Sequence, residues 1–274
     1  SMFLLYQPNM RQLIDMRRND RYAELLEVRA RMIDWMIEVF TVYHTRGSNE
    51  YTYFKAITFL DMLIGSGTIT TENIHAYGIA CMYLASNLLD KRCIEIDDAY
   101  TDIAHKQFSK NKILRYVNRA IEVLEFNFRT PTWVEYLDKI IFDTFGDYRE
   151  NLAEFNIRQT AIFVLHACAF DVMFYSWDPF RLSVVALMYS INSFFTNFEK
   201  SCTQTNSQFD LMRARTSKEN IVNHILTNSN LTRTIVRQNL TEFSLYLDDL
   251  MGRVQNKTYL QLSKLFSYEM NANA

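Results

Sequence analysis

Two charged residues in this chain stand where a charge needs a partner inside the protein. Arg29 lies in the apolar helical stretch VRARMIDWMIEV, and Asp61 lies in FLDML. Burying an unpaired charge is very costly, so we expect the guanidinium and the carboxylate to face each other across two helices. The alternative is that both are unrelated surface charges. A buried pair of this kind supports a fold and performs no reaction.

Residue types that carry catalysis or bind metals form no recognisable motif. The sequence has no CxxC motif and no HxxxH or HExxH motif, the spacings typical of metal sites. It also has no GxSxG motif of a catalytic serine and no glycine-rich phosphate loop. We therefore expect no catalytic residues, no metal site and no cofactor, and a protein that is not an enzyme. Free thiols and a first segment without a signal-peptide pattern favour the nucleus or the cytoplasm, or both.

Composition favours a helical protein with two domains. The chain has 274 residues, of which 49% are hydrophobic, but only 6 glycines and 3 prolines, which leaves little material for tight turns. Its formal net charge of -2 argues against nucleic acid or an anionic membrane surface as a partner. The most apolar stretch, 161–177, contains His166 and Asp171 and is typical of a core helix rather than a membrane span.

Helical periodicity divides the chain into two similar halves. Pro131 ends the first half, and we assign 1–20 to an N-terminal helix segment, 21–130 to the first domain and 131–274 to the second. The polar stretch 197–217 has no apolar period and is interpreted as a loop insertion. The predicted helices are 10–18, 21–43, 51–64, about 70–89, 96–105, 109–126, 133–145, 154–175, 179–196, 218–226, 231–253 and 256–268.

The order of four segments resembles the cyclin family with its tandem cyclin boxes. These segments are VRARMIDWMIEV (28–39), FLDML (59–63), YLAS (83–86) and ILRYVNRAIEVLEFNFRTPT (113–132). The resemblance implies an all-α fold of two tandem five-helix domains with a short N-terminal and a C-terminal helix. It also implies that Arg29 and Asp61 match the characteristic ion pair of the box.

Kinase-activating cyclins use a lysine at the end of the third helix and a glutamate on the fifth to bind the kinase backbone. The matching positions here hold Asn87 and Val117, and the neighbours Tyr116 and Asn118 are not acidic either. Two charge-assisted hydrogen bonds, each worth about 1.5–3 kcal/mol, are thus missing. Asn87 could still donate an uncharged hydrogen bond, whereas Val117 could offer only apolar contact.

The resemblance also implies two binding surfaces. A kinase interface would combine an apolar docking face with replacement polar contacts from Asp90, Lys91 and Arg92. Individual members of the apolar face could instead be core residues, Leu88 and Phe128 least so because they lie at helix ends. The apolar positions are Leu84, Leu88, Ile121, Phe126 and Phe128.

The second surface is the groove with which cyclins capture Arg-x-Leu peptides. Trp35 and Glu38 match its floor and its acidic partner, although Trp35 could also be a core residue. Arg31 replaces a small apolar residue and would repel the arginine of the peptide, so ordinary Arg-x-Leu docking is not expected. The matching positions are Val28, Arg31, Met32, Trp35, Glu38 and His75.

Three functions remain open. The chain could be a cyclin-like regulatory subunit that binds and activates or directs a cyclin-dependent-type kinase in cell-cycle control, with substrate or regulator peptides as further partners. It could be a cyclin-fold interaction scaffold that no longer binds a kinase. It could also be a cyclin-fold transcription factor, which the charge balance disfavours.

Overall fold

The computed structural model describes residues 8–44, 47, 49–147, 151–205, 207–255 and 259–272. Every regular element within these residues is helical, which confirms the predicted all-α class. The helices are α1 (Pro8–Arg17), α2 (Ala23–Tyr43), α3 (Glu50–Gly65), α4 (Ile74–Leu89), α5 (Ile96–Asp98, continued by the π-helical Ala99–Ile103), α6 (Lys110–Val123), α7 (Trp133–Phe145), α8 (Leu152–Ala169), α9 (Pro179–Gln204), α10 (Gln208–Ser229), α11 (Arg233–Gln255) and α12 (Leu260–Ala272).

The helices form two compact units, and the chain enters the second unit after Thr132. The first unit contains α1 to α6, and the second contains most of α7 to α12. One segment departs from chain order: Ala169–Asp178, here called the central segment, belongs to the first unit. The sequence-based assignment of all of 131–274 to the second domain is corrected accordingly. Residues 1–7, 273 and 274 of the predicted domains lie outside the described part.

Helix α3 forms the centre of the first unit. Every residue from Thr52 to Gly65 is buried, because the helix is apolar on nearly all sides and is packed all around. Its end touches α1 so closely that a Cβ on Gly65 would lie 1.9 Å from the carbonyl oxygen of Asn9. Glycine is therefore the residue that lets α1 close this side of the core.

The prediction that 197–217 forms a loop insertion is wrong. Helix α9 continues to Gln204, and α10 already begins at Gln208. Arg215 of α10 reaches back to Glu199 of α9, with 3.3 Å between Nε and Oε1. The segment is polar because large parts of both helices face solvent, and not because it lacks regular structure. The predicted start of the last helix, Asn256, lies outside the described residues.

Candidate protein-binding surfaces

The first polar centre is the pair of Arg29 on α2 and Asp61 on α3, and both side chains are fully buried. Arg29 donates from Nε to Oδ1 of Asp61 at 2.6 Å and from Nη2 to Oδ2 at 2.8 Å. This two-pronged geometry suits a guanidinium and a carboxylate and satisfies both groups at once. The expected partners therefore meet in the core, where they join α2 and α3.

The same pair anchors the central segment. Arg29 Nη1 donates to the carbonyl of Ala169 at 2.7 Å, and the hydroxyl of Tyr175 donates to Oδ2 of Asp61. A second ion pair, between Arg17 of α1 and Asp171, lies at 3.1 Å. The buried charges thus collect three parts of the chain that are far apart in sequence.

Arg29 and Tyr175 keep their protons in this centre. Burial alone would lower the pKa of Arg29, but the charge and hydrogen bonds of Asp61 outweigh it and raise the pKa above its ordinary value. Burial and the nearby charge of Asp61 raise the pKa of Tyr175 well above its usual range. Neither group is positioned to exchange protons near neutral pH, so the centre supports the fold rather than a reaction.

A second polar centre closes the end of α4. Asp90 accepts hydrogen bonds from the hydroxyls of Thr52 at 2.5 Å and Ser86 at 2.7 Å, and Ser86 accepts one from the backbone N–H of Ile94 at 2.8 Å. Asp90 was expected to offer replacement contacts to a kinase. Its carboxylate instead holds the end of α4 against the first turn of α3.

Asn87 also serves the chain itself. Its Nδ2 donates to the carbonyl of Tyr83 at 2.8 Å and to that of Ile94 at 3.1 Å. A side-chain amide has two N–H groups, so its donor capacity is used. The expectation that Asn87 keeps a donor for a partner is wrong, although its side chain is exposed. The amide sits there because it ties the end of α4 to the chain that follows.

Lys55 holds the chain that follows α6. The lysine is buried on α3, and its Nζ donates to the carbonyls of Thr130 at 2.7 Å and Phe128 at 3.3 Å. Thr52 lies three residues earlier on the same helix, so one side of α3 holds both the end of α4 and the chain after α6. The role of Lys55 was not predicted from the sequence. The one feature that could have indicated it is the position of a lysine within the apolar run of α3.

Apolar side chains gather beside these two ends. Leu88 is 43% exposed and Phe126 is 72% exposed. The Phe126 ring lies 6.2 Å from that of Phe128, which in turn lies 5.9 Å from the buried ring of Phe59, so three aromatic rings lead from the core to the surface. We call this surface the apolar rim: Leu88, Leu89, Ile121, Phe126 and Phe128.

Two residues predicted for the kinase interface lie elsewhere. Leu84 is 7% exposed and Val117 is 5% exposed, so both are core residues of the first unit and offer no surface to a partner. Ile121 and Phe128 are half-buried, whereas Lys91 and Arg92 are exposed. Leu89 was not predicted and adds an exposed leucine next to Leu88. The rim is therefore smaller and lies nearer the helix ends than expected.

The predicted docking groove is only partly assembled. Trp35 and Glu38 line a cavity of about 340 Å³, together with residues from the end of α2 and from the α5 region. Met32 is buried, and Val28 and Arg31 are not among the described lining residues, so these three do not form the groove. The residues that sequence reasoning missed are Val39, Val42, Tyr43, Asp102, Ile103 and His105.

His75 supports the groove from behind. Its ring packs edge-on against Trp35 at 5.2 Å and against Phe108 at 5.5 Å. Burial and the charge of His105 lower the pKa of His75, so its ring is neutral at neutral pH. Glu38 and Asp102 supply acidic groups at the cavity wall, which suits a basic and apolar segment.

Neither a metal centre nor a membrane-spanning helix is found in the described part of the chain. Its residues contain no group of three histidine, cysteine, aspartate or glutamate side chains that could hold a metal ion. None of the described helices is both long and apolar enough to cross a bilayer.

Comparison with known proteins identifies the first unit. The family described as "Cyclin, N-terminal domain" matches residues 5–129. This part of the chain is therefore similar to the cyclin N-terminal domain family. Within this cyclin N-terminal domain, Arg29 and Asp61 form the buried pair described above.

Related proteins resemble the cyclin domain at modest identity. Cyclin-A1-2 of Arabidopsis thaliana is 25% identical over 124 residues, which are 45% of this chain and 27% of that protein. Cyclin-A2 of Xenopus laevis is 27% identical over 112 residues, 41% of this chain and 26% of that protein. The matched segments thus span about a quarter of the length of these relatives.

The likeness in fold extends beyond the cyclin N-terminal domain. A viral cyclin from herpesvirus saimiri superposes with a TM-score of 0.54 at 11% identity and covers 73% of this chain and 85% of its own. Such low identity shows the fold alone. It agrees with two tandem cyclin-type units.

Proposed function

We propose that this protein is a cyclin-type regulatory subunit that binds a cyclin-dependent-type protein kinase through the apolar rim. The observation that carries the proposal is the exposure of Leu88 and Phe126 on the part of the chain that matches the cyclin N-terminal domain. The resemblance to cyclins implies a kinase interface at these two positions. Leu88 and Phe126 lie in two segments that the same helix, α3, holds through Thr52 and Lys55. Apolar side chains exposed at such a place mark an interaction surface more often than an ordinary monomer surface.

The binding would differ from that of kinase-activating cyclins in its chemistry. The amide of Asn87 is used within the chain and Val117 is buried, so neither position supplies a charged contact. Affinity would then come mainly from apolar burial at about 25 cal/mol per Å². The polar contribution would come from the exposed Lys91 and Arg92 beside the rim.

The mechanism requires no chemistry from the protein itself. A subunit that binds one conformer of a kinase more tightly than another shifts the kinase toward that conformer. The rigid attachment of the rim suits this role, because Lys55 and Asp90 fix both ends of it to α3. The kinase would supply the active site and the nucleotide.

Affinity purification from native cells tests this proposal. Tagged protein should recover a protein kinase, identified by mass spectrometry and by kinase activity in the eluate. Phe126→Asp should reduce that recovery at least about tenfold, because a carboxylate would be desolvated in the interface. Phe142→Asp on α7 is the matched control, since Phe142 is also an exposed phenylalanine, at 64%, and should leave recovery unchanged.

Two results would contradict the proposal. Equal recovery with Phe126→Asp and with wild type would show that the rim does not contact the kinase. Recovery of only non-kinase proteins, lost with Phe126→Asp, would favour the interaction scaffold. The uncharged character of positions 87 and 117 is the observation that keeps this second function open.

Substrate or regulator peptides would bind in the groove beside Trp35. The acids Glu38 and Asp102 favour a peptide that combines a basic with an apolar residue. Glu38→Gln should weaken binding of such a peptide, whereas Glu24→Gln, at an exposed glutamate near the start of the same helix, should not. Isothermal titration calorimetry measures both; an equal effect of the two changes would exclude the groove.

A further inference from the structure

A second cavity of the first unit has a different chemistry from the rim and the groove. It has a volume of about 260 Å³ and lies between α4 and α6. We call it the basic pocket, after its described lining residues: Tyr77, Lys112, Arg115, Tyr116 and Arg119.

The pocket is rich in hydrogen-bond donors. Lysine and arginine side chains are donors without acceptor capacity, and no acidic side chain is among the described lining residues. The rings of Tyr77 and Tyr116 meet edge to face with centroids 4.6 Å apart. Burial raises the pKa of Tyr77, so its hydroxyl stays protonated and can donate as well. A ligand that fits must therefore be an anion with several acceptor oxygens.

The cations lie along one side of α6. Lys112, Arg115 and Arg119 follow the spacing of three and four residues that places side chains on the same face. Arg119 and Ile121 of the apolar rim are two residues apart, so they project from nearly opposite sides of the helix. The basic pocket is therefore separate from the rim, and its ligand is independent of the proposed kinase partner.

Existing contacts leave the cations available. Arg119 Nη1 lies 3.1 Å from Oε2 of Glu122, but both side chains are exposed, and such pairs are weak. Lys112 Nζ lies 4.9 Å from the centre of the Phe108 ring, which orients the ammonium without neutralising it. A doubly charged anion can replace Glu122 as the partner of Arg119, while Lys112 keeps its contact with the Phe108 ring.

We propose that the basic pocket binds the phosphate group of a phosphorylated serine or threonine in a partner polypeptide. Two guanidinium groups can each bind phosphate oxygens in pairs, and an ammonium and two phenols can complete the shell. The size of the pocket suits one modified side chain. Nucleic acid and anionic bilayers are instead recognised by extended basic surfaces, which a chain of formal net charge -2 does not suggest.

Fluorescence anisotropy of labelled peptides tests this inference. The probe is a degenerate peptide library with one central phosphoserine, compared with the same library carrying serine. The phosphorylated library should bind at least about tenfold more tightly, since a charge-assisted hydrogen bond is worth about a factor of ten or more. Addition of inorganic phosphate should displace it, and binding should weaken with salt.

Paired variants locate the site. Arg115→Gln/Arg119→Gln should abolish the preference for phosphoserine. Arg11→Gln/Arg18→Gln removes the same charge from one exposed position in α1 and one directly after it, and should leave the preference intact. Thermal unfolding by circular dichroism checks that both double variants are folded, as expected for exposed side chains.

Three outcomes would overturn the inference. The first is equal affinity for the phosphoserine and serine libraries. The second is an equal loss in the two double variants, which would indicate attraction to overall charge only. The third is tighter binding of a random ten-nucleotide RNA or of phosphatidylserine vesicles than of the phosphopeptides, which would assign the pocket to another class of ligand.

Discussion

The first unit contains two polar centres that differ in what they connect. The Arg29–Asp61 centre is buried and uses formal charges to join α2, α3 and the central segment. The centre around Asp90 lies at the surface and joins the end of α4 to α3, mostly through neutral groups. Buried charge thus assembles the fold. Positions 87 and 117, where the resemblance implies the charged kinase contacts of activating cyclins, carry the uncharged residues Asn87 and Val117.

This difference explains how the apolar rim can serve as a binding surface without an ion pair to the partner from positions 87 and 117. At the end of α4, the amide of Asn87 and the carboxylate of Asp90 are bound within the chain. These hydrogen bonds, and those of Lys55, hold the backbone segments that carry the leucine and phenylalanine side chains of the rim. The following changes test the contrast, in order of decreasing effect on stability.

Asp61→Ala should have the largest effect. It leaves the guanidinium of Arg29 buried without its counter-ion, which typically costs about 3–5 kcal/mol in the free energy of unfolding. Urea denaturation followed by circular dichroism measures the loss. Asp97→Ala, which removes an exposed partner of Lys110, is the control and should cost less than about 1 kcal/mol. Similar losses in both variants would refute the special role of the buried centre.

Val117→Glu should destabilise the protein rather than restore a kinase contact. The carboxylate would enter the core, at a cost of more than about 2 kcal/mol near neutral pH. Burial raises the pKa of such a glutamate, so the cost should shrink as the pH falls toward the unfolded value of about 4.3. Asn118→Glu, at an exposed neighbour, should be nearly neutral. A Val117→Glu variant as stable as wild type would place residue 117 on the surface.

Asn87→Ala should have an intermediate effect. It removes two hydrogen bonds that together contribute about 1–2 kcal/mol, less than the buried pair because the site is partly solvated. Asn111→Ala, at an exposed asparagine of α6, is the matched control and should change the free energy of unfolding little. Urea titration compares the two. Equal values would mean that the amide of Asn87 faces solvent without a structural role.

Glu125→Gly should give a small gain. Glu125 has a φ of 51°, in the left-handed region that costs a non-glycine residue about 1 kcal/mol, and its side chain is exposed. Glu122→Gly removes a side chain from the last turn of α6 and should lower stability by up to about 1 kcal/mol. Opposite signs in differential scanning calorimetry are the expected result; a loss in both variants would contradict it.

The parts of the fold with a strong apolar period could be predicted from sequence. The bounds of α7 agree with the prediction. The cyclin-type fold was predicted from the order and spacing of four segments and is confirmed by the fold match to a viral cyclin. The stretch 197–217 could not be assigned by periodicity, since both of its helical parts expose large faces. Its lack of glycine and proline was the signal for helix that the polar composition obscured.

The candidate surfaces were harder to predict because exposure depends on more than one helix. Leu84 and Val117 share the apolar spacing of their helices with true surface positions, and only the packing of α4 against α6 decides that they are buried. Lys55 could not be given a partner either, because its acceptors are backbone carbonyls 73 and 75 residues further along the chain.

The position of the central segment affects the order in which the chain folds during synthesis and where the chain can be truncated. The ribosome must synthesise α7 and α8 before the central segment emerges. Only then can the carbonyl of Ala169 bind Arg29 and the phenol of Tyr175 bind Asp61. The amino-terminal unit therefore stays unfinished while its neighbour is already being synthesised. A gene fragment that stops at Thr132 would encode a helical unit that lacks the central segment. Its buried Arg29 and Asp61 would lose the hydrogen bonds from that segment and be exposed on that side.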